Sequence, residues 1–157
     1  MTGYGVVDCF GNRTVFCDCG VIKLPTLPFP ERLRLIFDGI AEAIERNQPD
    51  EVAVEQVFVQ RNPGSALKLG QARGAAICAA VVRDLPVAEY TPASVKKAIV
   101  GGGRADKVQV QHMVRVLLNL DRSPQADAAD ALAVALCHAH TRQTLLGVRR
   151  ATGGRLA

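Results

Sequence analysis

Glu51-Val52-Ala53-Val54-Glu55-Gln56-Val57-Phe58-Val59 is the stretch on which the fold turns. It is short, apolar and rich in β-branched residues. It follows the break Pro49-Asp50 and runs into Arg61-Asn62-Pro63-Gly64, a loop by composition. Those features predict a strand over residues 51–59. Helical periods flank it. Leu33, Ile36, Phe37, Ile40 and Ile44 recur at three- and four-residue spacing and predict an amphipathic helix to about residue 47. Pro30 suits its first position, where the missing N–H costs nothing. Ser65 is expected to cap a helix running to about residue 83. A strand set between helices implies α/β layers with parallel pairing.

Working outward, residues 4–8 and 14–24 read as two strands joined at Gly11-Asn12, which has hairpin-turn chemistry. Residues 85–90 read as a further short strand. Thr91-Pro92 then starts a helix through residue 100, and Gly101-Gly102-Gly103 breaks it. Residues 105–120 show a broad apolar helical face. Ser123-Pro124 starts a last helix, to about residue 140. The expected order is a β-hairpin followed by α-β-α-β-α-α-α in one domain, residues 1–140. A basic tail without sustained periodicity, residues 141–157, is expected to be flexible.

The chain has 157 residues, enough to bury a core without staples. Its net charge is +4, and the tail carries Arg142, Arg149, Arg150 and Arg155 with no acid, which suggests a polyanionic partner. Aromatic residues are only 4% and Trp is absent, which argues against stacking platforms for single-stranded nucleic acid. Residues 75–82, the longest apolar run, are too few to span a bilayer. Neither a basic n-region nor an apolar h-region opens the sequence, so a cytoplasmic protein is expected. The five cysteines are an odd set, and Cys17-x-Cys19 lacks the spacing of a zinc or redox pair, so reduced packing cysteines are expected.

Three acids stand where acids are expensive. Alternation puts Glu55 on one face with Ala53 and Val57. A carboxylate in such a strand has to be paired, protonated or bound to a cation. Asp127 and Asp130 share a helix face at i, i+3, among Ala126, Ala128, Ala129 and Ala131. Asp127 alone is accounted for by the helix dipole, and Glu55 by a salt bridge to a core arginine. Taken together, one strand acid and a paired helix acid form an oxygen-only donor set of the kind Mg²⁺ takes. Two such ions suit phosphodiester cleavage.

The same residues carry a resemblance. Thr2-Gly3-Tyr4-Gly5, Glu55-Gln56-Val57-Phe58, Ser65-Ala66-Leu67-Lys68-Leu69-Gly70-Gln71-Ala72-Arg73-Gly74, Lys107-Val108-Gln109-Val110-Gln111-His112-Met113-Val114 and Gln125-Ala126-Asp127-Ala128-Ala129-Asp130-Ala131-Leu132-Ala133 resemble, in order, the RuvC family of bacterial Holliday junction resolvases. The resemblance implies a ribonuclease H-like mixed sheet flanked by helices. It implies a homodimer that makes paired nicks in four-way DNA with Mg²⁺ (Mn²⁺ as a substitute), two ions per site. It also implies work beside the RuvA–RuvB branch-migration complex in recombination and repair.

Carried over, Glu55, Asp127 and Asp130 are three of the family's four metal-binding acids. The fourth belongs to a central strand that ends in Asp-Pro-Gly ahead of the Thr-Gly-Tyr-Gly strand, between it and the strand of Glu55. The sequence starts at Met1, so that strand is expected to be missing, with a start codon assigned too late as the simplest reason.

Lys96, Lys97, Arg104 and Lys107 surround the triple glycine, where they are either a solvated surface or a phosphate-facing rim. The resemblance favours the rim for Lys96 and Lys107, and Lys107 is expected to offset charge developing on phosphate. It also makes Phe58 a base-stacking residue, with Arg61 and Arg73 as further DNA contacts. The small-residue stripe Gly70, Gly74 and Cys78 packs either on the chain's own sheet or, as the resemblance implies, at the dimer interface. His112, His138 and His140 are expected to be structural or surface residues. Two other functions compete with the nuclease. One is a junction-binding protein impaired in cutting by the lost acid. The other, an ATPase of the actin and sugar-kinase type, would need glycine-rich phosphate loops that Gly101–Gly103 alone does not supply.

Overall fold

The computed structural model describes residues 1–57 and 63–151, with backbone only for 149–151. The order of elements is the expected one. A hairpin of β1 (Thr2–Phe10) and β2 (Arg13–Ile22) leads to α1 (Phe29–Asn47), β3 (Val52–Glu55), α2 (Pro63–Val81) and β4 (Val87–Tyr90). Then come α3 (Pro92–Val100), α4 (Lys107–Leu117) and α5 (Ala126–Ala151). Gly11 turns the hairpin at φ +60°, a conformation that favours glycine. β3 and β4 pair in parallel, Val52 opposite Val87 and Glu55 opposite Tyr90.

Several boundaries differ from the sequence expectation. β3 ends at Glu55, whereas the apolar pattern continued to Val59. Gln56 N–H makes the last ladder bond among the described residues, to Tyr90 O at 2.8 Å, and Phe58 and Val59 lie outside them. Ser65 is the third residue of α2, not its cap, because Pro63 already opens the helix. α4 starts at Lys107 because Asp106 caps it. The Asp106 carboxylate accepts from Gln109 N–H and the Gln109 side chain accepts from Asp106 N–H, a reciprocal capping box. α5 continues to Ala151, so the expected boundary at residue 140 falls inside a helix.

The strands, expected to form a mixed sheet, make two two-stranded ladders, antiparallel β1–β2 and parallel β3–β4, with no hydrogen bonds between them among the described residues. The facing strands β1 and β3 both line a cleft of about 1090 Å³. No described strand lies between them to join the ladders. α5 crosses this gap and packs mainly on β1. Gly3 and Gly5, on one face of β1, permit the approach. A Cβ on Gly3 would strike the backbone carbonyl of Asp127 and come within 2.8 Å of Ala128 N. One on Gly5 would lie 2.7 Å from the Leu132 side chain and 2.8 Å from its N. The core gathers around α5, where Leu132, Leu136 and Cys137 meet Val95, Ile99, Val110 and Val114, with Val7 and Phe16 of the hairpin packed against them.

Candidate active site

The cleft between β1 and β3 brings the three acids named from the sequence to one place, since Glu55, Asp127 and Asp130 all line it. They arrive by two routes. Glu55 closes β3, where the ladder stops and the side chain is released into the cleft. Asp127 and Asp130 occupy the first two turns of α5, which the bare face of β1 at Gly3 and Gly5 lets in. The electrostatics couple the three. Partial burial is the largest influence raising the Glu55 pKa above its ordinary value, the Asp130 charge adds to it, and Lys96 and Lys107 pull it down.

Lys107, the first residue of α4, places its Nζ 2.7 Å from Asp130 Oδ2. That bond is the chief cause of a raised ammonium pKa, with Asp130, Asp127 and Glu55 charges adding to it. Lys107 is therefore charged and held against a cluster of carboxylates. Among the described residues no three His, Cys, Asp or Glu side chains converge closely enough to enclose a metal ion. The donor chemistry nevertheless fits a hard divalent cation. All three groups are carboxylates, they share one cleft, and the Asp130 charge disfavours ionisation of Glu55 unless a cation intervenes. In this structure the cation beside Asp130 is the Lys107 ammonium.

The other expected site residues fall into different settings. Lys97 and Arg104 are exposed, as is Lys107, and Lys96 is half-buried within electrostatic reach of Glu55. Arg73 is engaged within the fold. Its Nε donates to Glu55 O at 2.9 Å and its guanidinium pairs with Glu89 on β4. It thus braces the strand that presents Glu55. Gly70 and Gly74 lie on an open face of α2, where an added Cβ would meet nothing within 4 Å, and Cys78 is exposed on the same helix. Phe58 and Arg61 lie outside the described residues. None of the five cysteines is in a disulfide. No helix among the described residues is long and apolar enough to cross a membrane.

Sequence reasoning missed a polar bridge at the far end of the cleft. His138 Nδ1 is 2.8 Å from Tyr90 Oη and its Nε2 is 3.0 Å from Glu51 Oε2. Arg142, expected in a basic tail, pairs with the other Glu51 oxygen. No local spacing announces these contacts. The glycines at 3 and 5 did carry a signal, since i, i+2 glycines in a strand mark one face for close backbone approach.

Comparison with known proteins gives a consistent result. The family model described as crossover junction endodeoxyribonuclease RuvC matches residues 1–138. A RuvC of Shewanella baltica is 56% identical over 148 residues, covering 94% of this chain and 86% of that protein. One from Alkalilimnicola ehrlichii is 56% identical over 151 residues, covering 96% and 92%. The Thermus thermophilus RuvC structure superposes with a TM-score of 0.81 at 38% identity, covering 90% of this chain and 89% of that one. The same organism's RuvC in complex with a Holliday junction substrate gives 0.83 at 39% identity, covering 90% and 88%.

Proposed function

The chain belongs to the RuvC family of crossover junction endodeoxyribonucleases, and from that premise we propose that it resolves Holliday junctions by paired, Mg²⁺-dependent nicks during DNA recombination and repair. The observation that carries this reading is the shared cleft of Glu55, Asp127 and Asp130 with Lys107 seated on Asp130.

Glu55, Asp127 and Asp130 would hold the ion. When bound, it supplies a nucleophilic water and offsets charge on the phosphate oxygens. The protein's own residues set the stage for this. Glu55 must be ionised to serve, and Lys96 and Lys107 favour that state against the burial of the site. Arg73 fixes the main chain at Glu55. Lys107 carries a permanent charge at the rim, where negative charge on a phosphate would grow. Lys96, Lys97 and Arg104 extend that rim toward the duplex backbone, and such contacts orient DNA without reading its sequence. Phe58 is assigned to base stacking and Arg61 to the backbone beside it.

A two-fold junction calls for two sites, and the open face of α2 at Gly70, Gly74 and Cys78 suits a symmetric pair of subunits. In this reading residues 1–140 form the nuclease unit, and the basic residues beyond add salt-sensitive affinity for DNA. The protein acts in the cytoplasm beside a RuvA–RuvB branch-migration complex. A second reading, junction binding without efficient cutting, is favoured by one observation: no three acidic side chains converge to enclose an ion among the described residues.

A synthetic four-way junction separates the two. Symmetric nicks with Mg²⁺ and none with EDTA support the nuclease. A gel shift without nicks at any Mg²⁺ concentration supports the binding protein. No binding at all overturns both.

A further inference from the structure

The two ladders of the fold share no hydrogen bonds among the described residues, yet the candidate site is assembled across them. Asp127 and Asp130 travel with α5, which is seated by backbone contact on β1 at Gly3 and Gly5. Glu55 travels with the β3–β4 ladder. Something other than the sheet must fix the distance between these two bodies.

His138 is built for this. It lies eight residues beyond Asp130 on α5, about 12 Å along the helix axis at 1.5 Å per residue. One nitrogen reaches Tyr90, the cross-strand partner of Glu55, and the other reaches Glu51, just ahead of β3. Its side chain is only 16% exposed. Burial lowers its pKa below the ordinary value, so the ring is neutral at pH 7. A neutral imidazole has one donor and one acceptor. A carboxylate only accepts, so Nε2–H donates to Glu51 and Nδ1 accepts from the Tyr90 hydroxyl. Arg142, one turn further along α5, compensates the Glu51 charge. A single rigid ring therefore ties α5 to both ends of the β3–β4 ladder.

We propose that His138 is a positioning residue: through Glu51 and Tyr90 it sets the height and rotation of α5 against β3–β4, and so the separation of Asp127 and Asp130 from Glu55. What that separation is for rests on the metal-dependent reading above; the clamp itself does not.

The test uses the full chain with His138→Gln, which keeps a donor near the Nε2 position and loses the acceptor, and Tyr90→Phe, which removes one oxygen. Three readouts are taken. In metal-free protein, ¹⁵N spectra of the wild type should show His138 as the Nε2–H tautomer. Amide shifts of Asp127 and Asp130, two and more turns from His138 along α5, should move in both variants, and that of Glu55, which is the cross-strand neighbour of Tyr90, is read in His138→Gln alone. Mn²⁺ binding, followed by electron paramagnetic resonance, should weaken about tenfold in His138→Gln and less in Tyr90→Phe. Thermal midpoints should stay within a few degrees of wild type. Unmoved amide shifts, or the opposite tautomer, would overturn the clamp whatever the metal does. Mn²⁺ affinity unchanged in both variants would overturn its bearing on the acids. A wild type that binds no Mn²⁺ overturns the metal site instead, while the amide shifts still judge the clamp. Should His138→Gln fail to fold, Tyr90→Phe decides on the same readouts.

Discussion

Lys107 Nζ lies 2.7 Å from Asp130 Oδ2, so an ammonium group is held against a cleft whose lining includes the carboxylates of Glu55, Asp127 and Asp130. Both partners are about half exposed, and such a pair adds little to stability. Its weight falls on the ionisation of the site. Glu55 is raised by burial and by Asp130, and Lys107 is one of two cations holding it down.

Lys107→Met should therefore push the Glu55 pKa further up. A carboxylate that must be ionised then becomes available only at higher pH, so the acid limb of a nicking-rate profile should move to higher pH. The rate on the plateau should fall about tenfold, less than for a fully buried donor because the ammonium is solvated. Urea denaturation should show a change of less than about 0.5 kcal/mol. An unshifted acid limb would remove Lys107 from the electrostatics of Glu55.

Gly3→Ala tests how α5 is seated. The new Cβ would meet main-chain atoms of Asp127 and Ala128, which cannot swing aside as a side chain would. Overpacking of this kind costs about 1–3 kcal/mol. Relief requires the start of α5 to move, carrying Asp127 with it. Activity should fall by more than the stability loss accounts for, measured at a temperature where the variant remains folded. Wild-type activity with wild-type stability would mean that α5 does not rest on β1 in this way.

Much of this arrangement was legible in the sequence, and the part that was not shares a physical character. Thr91-Pro92 announced α3, and Thr91 does cap it, its side chain accepting from Ser94 N–H at 3.0 Å. Asp127 and Asp130 were legible because helical spacing is local and because acids among alanines are conspicuous. The element order followed from period together with the local turn and cap residues. His138 was illegible because its partners are 48 and 87 residues away, and no spacing rule joins them. The bond from Arg73 to Glu55 O was illegible because a solvated arginine and one bonded within the fold are spelled identically. Hydrophobic alternation specifies a strand but not which edge of it is paired, so the gap between the two ladders was not legible in the pattern, and the expectation of a missing strand between them came from the resemblance.

Asp18 ties the hairpin to α1. Its Oδ2 accepts from Asn47 at 3.0 Å and from Arg46 at 3.1 Å, and Arg46 also donates to the Tyr4 hydroxyl at 2.7 Å. Partial burial opposes ionisation of Asp18, but the bonds from Asn47 and Arg46 outweigh it and the pKa is lowered. A lowered carboxylate contributes stability that is complete above its unfolded pKa and is lost as pH falls through the folded value. Asp18→Asn should cost about 1 kcal/mol at pH 7, discounted for solvent screening. The difference from wild type should shrink as pH falls below the ordinary value of 3.8. A pH-independent difference would assign the effect to packing.

The open face of α2 gives a prediction whose sign separates association from folding. Glycine inside a helix costs about 1 kcal/mol relative to alanine, and a Cβ at Gly70 or Gly74 would meet nothing within 4 Å. The double variant Gly70→Glu, Gly74→Glu should fold at least as stably as wild type when monomeric. A dimer formed through this face would be split by four buried charges. Light scattering at micromolar concentration should give the dimer mass for wild type and the monomer mass for the variant. A variant that remains dimeric would move the interface elsewhere.

The facing edge of β3 allows a finer test of the fold. Val52 N–H donates to Pro86 O at 2.9 Å and Gln56 N–H to Tyr90 O at 2.8 Å. Amides on one edge of a strand recur every two residues, so Val54 also points toward β4. Ala53 and Glu55 then point the other way, toward the cleft, where no described strand pairs with β3. Exchange of a hydrogen-bonded core amide requires an opening, whereas an unpaired amide exchanges nearly freely. In metal-free protein the amides of Ala53 and Glu55 should exchange at least about a hundredfold faster than those of Val54 and Gln56. Arg73 does not change this expectation, because it bonds the Glu55 carbonyl and leaves its N–H untouched. Equal protection on the two edges would show that the cleft-facing edge of β3 is covered in solution.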